Sequence, residues 1–490
     1  MPINARPSIT RCGRNWRPER RIITVMSEKR DWAQLERWDR NYYLHSTQAA
    51  AEHVFTAVDS MEGNYFTLSD GTRLLDFQSQ LISDSMGHRH PAIHGELKRA
   101  MERYGHVLFG LANEYRARAA KLIVEDVLGP NSWAGRVRVF ASGTDAVECA
   151  VNMARLYTRR TVILTQAHSF HGMVMGSTMM RGYRNNLTPP GDLNAVQDVP
   201  GFPPHGYIPI PPPEPEDYQA NGPLPSIVAT EQILRALGPE NVAGVITEPM
   251  LGGGGTFPHK DYMPALVGLA RKYGILWIDD EVITGFGRLG EWFGYQHWPG
   301  IAPDILAGGK GANSCALPVG VVVASKPISE HFERARWWSG STWDGHPLVC
   351  ATIVGNLEYM LANNMIQQVR QKSAYLRERL DTLKPKHPSI GRISGRGLFQ
   401  VIDLVNREGK PIIPEDRFSA FTGDLSEHPN VIVYKETGKR GVFLGGFTPN
   451  TLKLGPPFTV SQDDIDLAVD ALDAALDVVD AKYHGRGKPN

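Results

Sequence analysis

The chain has 490 residues, 42% of them hydrophobic and 21% charged, with a formal net charge of zero. That balance fits an ordinary globular protein of roughly two or three domains. It argues against a strongly basic surface for nucleic acid or anionic lipid. Four cysteines (Cys12, Cys149, Cys315, Cys350) form no CxxC pair and no metal-ligand spacing, so neither a disulfide framework nor a metal site is expected, and a reducing, cytoplasmic setting is. No stretch approaches the ~18–20 consecutive apolar residues of a membrane span.

The first 25 residues stand apart, with Arg6, Arg11, Arg14, Arg17, Arg20 and Arg21 against the single acid Glu19. An Arg-rich, acid-poor start suits an organelle leader, and equally a disordered extension or sequence upstream of a start at Met26. Residues 31–40 read as a short amphipathic helix. Gly63 to Phe77 reads as two strands around the Asp70-Gly71 turn. Short β-rich runs then alternate with helical stretches: Val137–Phe140, Thr161–Leu164, Ala243–Thr247, Ile275–Ile278 and Val319–Val323. This alternation predicts βαβ units around a mostly parallel sheet, an α/β fold. Residues 200–225 hold ten prolines and read as an irregular insertion near a site mouth or subunit contact. From Gly345-His346-Pro347 onward the pattern looks like a separate α+β unit. Ser461 to Asp464 resembles a capping box, and Ile465, Ala468, Val469, Leu472, Ala475, Leu476 and Val479 follow with helical spacing.

In an open parallel sheet, ligands sit beyond the carboxyl ends of the strands, and the chemically suggestive residues all follow strand-like runs. Asp280 ends Gly274-Ile275-Leu276-Trp277-Ile278-Asp279-Asp280, and Lys310 lies thirty residues later between glycines, in Gly308-Gly309-Lys310-Gly311. A strand-end acid and a lysine on a turn suit pyridoxal phosphate: the lysine holds the aldehyde as a Schiff base, and the acid keeps the pyridine nitrogen protonated. An ordinary lysine, with a pKa of roughly 10.4, is almost fully charged near neutrality; burial lowers that value and frees the amine. Ser142-Gly143-Thr144 opens a helix after a strand, so the free amides and the Thr144 hydroxyl can take a phosphate, although the same turn is also an ordinary cap. Phe170, in Ser169-Phe170-His171-Gly172, can lie flat on a cofactor ring or fill the core beside a bonded His171. Val282 shares the strand face of Asp280 and can pack on the opposite side. The trio Asp279-Asp280-Glu281 also reads as a solvated strand end. A phosphate-binding P-loop is excluded, because Asp304 and Gly311 stand where it needs glycine and a hydroxyl residue. Gly252–Gly255 makes no GxGxxG with an acid beyond it, so a dinucleotide fold is not supported.

Taken in order, these segments resemble the class III (ω-) aminotransferases, pyridoxal-phosphate enzymes of fold type I, over about Tyr42 to Tyr483. The specific stretches are Ile278 to Gly290, Pro303-Asp304-Ile305 with Lys310, Glu248-Pro249-Met250-Leu251-Gly252, Gly340 to Pro347, and Pro456-Pro457-Phe458. The resemblance implies a large cofactor-binding domain over 81–344, a small domain over 345–490 joined by 31–80, and a leader or extension over 1–30. It also implies that Lys310 is the Schiff-base lysine and proton shuttle and that Asp280 holds the pyridinium. Gly143 and Thr144 would hold the phosphate, together with Thr342 from the partner of a homodimer. Phe170 and Val282 would sandwich the ring, and Glu248 would stand near the cofactor's O3′. Leu44 to Gln48, Asp76 to Leu81 and Gly87-His88 are similar to taurine–pyruvate and related pyruvate-dependent members. The implied reaction moves an amino group from an ω-amino acid, amine or aminosulfonate to a 2-oxo acid, with pyruvate the expected acceptor. Decarboxylating transamination, amino-group migration, and an inactive binding protein on the same fold remain alternatives. Two departures bear on carboxylate recognition. Lys453 replaces an arginine common three residues before the Pro-Pro pair. Gly445-Gly446 lies where some amine–pyruvate members carry a mobile arginine. Lys453, Arg440, Arg181 and Arg184 are the candidate substitutes.

Overall fold

The computed structural model describes residues 30–45, 54–180, 206–213, 215–219, 221–252, 255–414, 425–445 and 448–485. The chain divides into a unit of residues 1–55 and one of 56–490. In the first, the helix Trp32–Tyr42 forms where the amphipathic pattern predicts it, and the Asp31 carboxylate caps it by accepting the Gln34 amide at 3.0 Å.

The second unit is organised by seven strands: β4 (Ala134–Phe140), β5 (Val162–Gln166), β6 (Tyr207–Ile210), β7 (Val242–Thr247), β8 (Leu276–Glu281), β9 (Ile305–Gly309) and β10 (Gly320–Ser325). Their order is β4-β10-β9-β8-β7-β5-β6. β10 runs antiparallel to both β4 and β9, so β4 points the same way as β5 to β9, whose pairings are all parallel. The carboxyl ends of β4, β5, β7, β8 and β9 therefore share one edge. β7 and β10 are buried along their whole length, which explains why they read as continuous Val/Ile-rich runs without alternation. The helix Gly143–Thr158 packs on this sheet through Ala146, Val147, Ala150, Val151 and Ala154.

The proline-rich segment differs from the expectation of irregular chain. Tyr207–Ile210 forms β6 at the sheet edge, with Pro209 opposite Thr165 of β5. An edge strand bonds on one side only, so the amide that proline lacks is not missed there. Residues 200–205, 214 and 220 of that segment lie outside the described residues.

Two smaller sheets flank the large one in sequence. β1 (Val58–Glu62), β2 (Tyr65–Leu68) and β3 (Arg73–Asp76) form an antiparallel meander. The expected Asp-Gly turn is present: Thr72 N–H donates to Asp70 Oδ1 at 2.8 Å, and Gly71 has φ +88°. The late strand β13 (Val442–Phe443) joins β3 in parallel, so this sheet combines both ends of the unit. β11 (Ile390–Arg396), β12 (Phe399–Leu404) and β14 (Thr451–Leu454) form an antiparallel sheet in the order β11-β12-β14. The closing helix Gln462–His484 starts at the Ser461–Asp464 capping box, and all seven apolar residues picked out by spacing are buried. Among the described residues, no helix is long and apolar enough to cross a membrane.

Candidate active site

Strand alternation sends Asp280 to one face of β8 and Asp279 and Glu281 to the other. All three are buried, at 4%, 0% and 0% exposure, so the trio is not a solvated strand end. Asp280 Oδ2 lies 2.6 Å from His171 Nδ1, and Asp280 Oδ1 accepts the Val282 amide at 3.0 Å. An ionised carboxylate only accepts, so the hydrogen in the first contact sits on His171 Nδ1. Each oxygen keeps a lone pair for a further donor. His171, whose partner the sequence leaves open, is thus the residue that orients Asp280. On the other face, burial, with Glu281 and Asp280 alongside, holds the Asp279 carboxyl well above the usual range. Glu281 accepts from the Tyr295 amide at 2.9 Å and from the Thr284 hydroxyl.

The loops beyond β5 and β7 meet at Glu248. Its Oε1 accepts the Phe170 amide at 2.8 Å, and its Oε2 accepts the Gly252 amide at 2.9 Å. Burial pushes this carboxyl up to about 7; His171 opposes the shift and Asp280 adds to it. Lys453, on β14, donates to the Gly252 carbonyl at 2.5 Å. Burial lowers its amine to about 8, with Glu248 pulling the other way.

β9 ends at Gly309, and Lys310 opens a single turn with φ +28°, an uncommon conformation for a residue with a side chain. Among the described residues, Lys310 makes no side-chain hydrogen bond and no ion pair. Burial pushes its amine below the ordinary lysine value; Cys315, Asp280 and Glu248 oppose that, and Arg288 reinforces it. Arg288, fully buried, spends Nη1 on the carbonyls of Leu398 (2.9 Å) and Pro456 (2.6 Å). Its role was not foreseen, because an arginine in a Gly-Phe-Gly-Arg run carries no obvious partner in sequence.

Gly143 shows how tightly the strand ends converge. A Cβ there would come within 2.7 Å of Val282 Cγ1, and one on Gly309 would lie 3.3 Å from Val282 and 3.4 Å from the Gly143 Cα. Thr144 borders the β5 loop: a Cβ on Gly172 would meet its Oγ1 at 2.7 Å. Ser142 caps the helix by accepting the Asp145 amide at 3.1 Å. The amides of Gly143 and Thr144 have no acceptor among the described residues. Phe170 and Val282 are both half-buried.

The chain thus brings Lys310, Asp280, Glu248, Phe170, Val282, Gly143 and Thr144 to one edge. Thr342 is not joined to them by any hydrogen bond and is exposed. Its stretch is tied to β4 by Arg138 Nε on Asp344 Oδ2 (3.0 Å) and by the Gly345 amide on Val139 O (2.9 Å). Of the candidate carboxylate binders, Arg440 pairs with Glu436 on a half-exposed surface. Arg181, Arg184 and Gly446 lie outside the described residues.

These residues suit pyridoxal phosphate on the molecule's own terms. An amine without a partner, an acid with lone pairs to spare, two unspent amides at a helix start and half-buried apolar flanks meet in one place. Residues 46–476 match the family Aminotransferase class-III. The fold superposes on an S-selective transaminase from Arthrobacter sp. with a TM-score of 0.87 and 37% identity, covering 92% of this chain and 99% of that one. It also superposes on a taurine:2-oxoglutarate aminotransferase from Bifidobacterium kashiwanohense, solved with pyridoxal phosphate and glutamate, with a TM-score of 0.83 and 26% identity over 92% and 98% of the two chains. A putrescine–pyruvate aminotransferase from Pseudomonas aeruginosa is 26% identical over 471 residues, 92% of this chain and 97% of that protein. Matching the family along most of its length, with a site that suits the cofactor, the chain belongs to the class III aminotransferases and is a pyridoxal-phosphate-dependent enzyme of fold type I.

Proposed function

We propose that this enzyme moves an amino group from an amine, ω-amino acid or aminosulfonate to a 2-oxo acid, with pyruvate as the acceptor, in two half-reactions with ping-pong kinetics. When bound, pyridoxal phosphate supplies an aldehyde that condenses with amines and a ring that takes up the electron pair of the bond broken at the substrate carbon. Lys310 Nζ holds the cofactor between turnovers and moves the proton to and from the substrate carbon. Asp280 accepts the hydrogen of the ring nitrogen, a charge-assisted bond that contributes about 1.5–3 kcal/mol, and His171 keeps that carboxylate aimed. Gly143 and Thr144 bind the phosphate, Phe170 and Val282 flank the ring, and Glu248 stands near the O3′ side. The observation that carries this reading is the desolvated, partnerless Lys310 amine, whose charge neighbours include Asp280 and Glu248.

The donor class is supported by how the buried cations are used. Arg288 and Lys453 both spend hydrogen bonds on backbone carbonyls. Lys453 is a point charge tied to the Gly252 carbonyl and offers no two-pronged clamp, and Arg288 keeps only Nη2 without a partner among the described residues, so amines without a carboxylate suit this site. The putrescine–pyruvate relative, named for a diamine, agrees with that choice. A homodimer, with Thr342 completing the partner's phosphate site, is supported by exposed apolar residues flanking that threonine: Trp338 is 93% exposed and Trp343 53%. The unpaired thiols of Cys149, Cys315 and Cys350 fit a cytoplasmic setting. The test is a donor panel against pyruvate, read as alanine formed, with simple amines, diamines, β-alanine, γ-aminobutyrate and taurine. Turnover of a donor without any added 2-oxo acid overturns the transaminase reading. Preference for β-alanine and γ-aminobutyrate over every donor that lacks a carboxylate overturns the donor preference.

A further inference from the structure

The helix Pro347–Ala362 is buried along most of its length, and its interior residues are mostly apolar: Cys350, Ala351, Ile353, Val354, Leu357 and Met360. Thr352 and Asn356 break that pattern. They are four residues apart, hence on one face, and both are 0% exposed. A polar side chain is costly in such a place unless it is bonded. Asn356 Nδ2 donates to the carbonyl of Gly311 at 2.8 Å and to that of Ala312 at 3.0 Å. Those are the two residues that follow Lys310. Thr352 Oγ1 accepts from Asn313 Nδ2 at 2.9 Å, and the same amide reaches the Leu317 carbonyl at 2.9 Å.

The backbone held in this way is strained. Lys310 has φ +28°, Ser314 +56° and Cys315 +48°, conformations that persist only where the surroundings over-determine them. The far end of the turn is fixed independently: Ser314 Oγ donates to Asp84 Oδ1 at 2.6 Å and accepts the Met86 amide at 2.8 Å. Between these anchors the Gly311 and Ala312 carbonyls are met by a side chain of the helix. Asn356 is their side-chain donor.

We propose that Asn356, seconded by Thr352, is a positioning residue for Lys310: it holds the turn after β9 in the conformation that aims the lysine amine at the cofactor. This rests on the reading of Lys310 as the lysine that binds the cofactor. Removing the amide lets the turn relax toward an ordinary backbone conformation and displaces Nζ, and small displacements of a reacting group cost up to about 100-fold in rate.

The experiment uses the holoenzyme and three measurements: the pH midpoint of the visible absorbance of the lysine-bound cofactor, kcat and KM for the best donor, and thermal stability. Asn356→Leu keeps the size and removes the donor. It is expected to move the absorbance midpoint by about half a pH unit or more and to lower kcat by about 10- to 100-fold with KM little changed. Asn356→Thr, which keeps one hydroxyl donor, falls between it and the native protein. If Asn356→Leu yields no soluble holoenzyme, Asn356→Thr against the native enzyme decides by the same two readouts. A fall in thermal stability with midpoint and kcat unmoved overturns the proposal, since that is what a merely structural asparagine would give. Borohydride reduction and peptide mapping of the native enzyme separates the two ideas. Label on a lysine other than Lys310 sinks the reading beneath the proposal. Label on Lys310 with unmoved variants sinks the proposal alone.

Discussion

The Asp280–His171 pair gives the sharpest test of how the ring nitrogen is held. The contact is 2.6 Å long, and the two side chains are 3% and 0% exposed, so little solvent screens it. Asp280→Asn keeps the shape but replaces a charge-assisted bond to the ring with a neutral one. At about 1.5–3 kcal/mol for such a bond, and about 1.36 kcal/mol per tenfold in rate, proton removal from the substrate should slow about 10- to 150-fold. His171→Leu leaves the carboxylate charged but unaimed and should cost less, and His171→Asn, which restores an N–H, should recover part of that loss. Because the structure places His171 against Asp280, its effect should pass through that acid. The double variant Asp280→Asn/His171→Leu is then no slower than Asp280→Asn alone, within about threefold, a coupling of the kind expected for residues in contact. Single-turnover loss of the cofactor's visible band on mixing with donor is the assay. Multiplying penalties in the double variant would mean that His171 acts on the substrate or cofactor directly, and the positioning argument would fail.

Three further outcomes follow from the same geometry. Lys310→Ala should bind the cofactor only non-covalently and lose nearly all turnover; a lysine still labelled by borohydride in that variant would refute the assignment. Gly143→Ala places a Cβ 2.7 Å from Val282 Cγ1, an overpacking cost of about 1–3 kcal/mol; cofactor affinity from equilibrium titration should weaken accordingly, and Gly143→Ala/Val282→Ala should recover it. For His88, burial works against the charge, but hydrogen bonds to Asp76 and Asp84 outweigh it and raise the pKa from 6.5 to about 9. A raised pKa means the folded state binds the proton more tightly than the unfolded chain. The stabilisation is therefore complete below about pH 6.5 and lost as pH rises through about 9. Melting temperatures of the native protein should fall between pH 7 and 10 more steeply than those of His88→Gln, and parallel curves would exclude this source.

How much of this is legible before the fold is known depends on whether the signal is local. The β runs, the Asp70-Gly71 turn and the Ser461 cap depend on neighbours in sequence, and all appear in place. The convergence of Gly143, Phe170, Glu248, Asp280 and Lys310 follows from one topological rule about strand ends, so it too can be anticipated. β6 escapes because proline content is a strong local signal for irregular chain, and only its position at a sheet edge relieves the penalty. The burial of Asp279 and Glu281 escapes for the opposite reason. Three consecutive acids look solvated locally, and it takes the sheet, with β7 and β9 on either side of β8, to enclose them. His171 and Asn356 act through partners 109 and 45 or 44 residues away, and no spacing rule reports such contacts.

The buried charges of the site explain why Lys310 is the amine left free. Lys310 and Lys453 share Glu248 as an acidic neighbour, Lys310 also has Asp280, and Arg288, whose acidic neighbours are Asp84 and Asp76, adds a further buried positive charge beside Lys310. An unpaired buried cation is costly. Arg288 meets part of that cost with the carbonyls of Leu398 and Pro456, its Nη2 having no partner among the described residues, and Lys453 meets it with the carbonyl of Gly252. Glu248 spends its two oxygens on the amides of Phe170 and Gly252, leaving it no short contact with a cation. Asp280 is turned toward His171 and the Val282 amide. Among the described residues, neither acid makes a hydrogen bond or ion pair with the Lys310 amine. Burial shifts a lysine in that position toward its neutral form, and the neutral amine is the form that attacks an aldehyde. On this account, restoring arginine at position 453 would add a second fixed donor fork beside Glu248. Lys453→Arg should then improve KM for donors that carry a carboxylate relative to simple amines, and an unchanged ratio of the two KM values would show that the 453 side chain is purely a brace for the Gly252 turn.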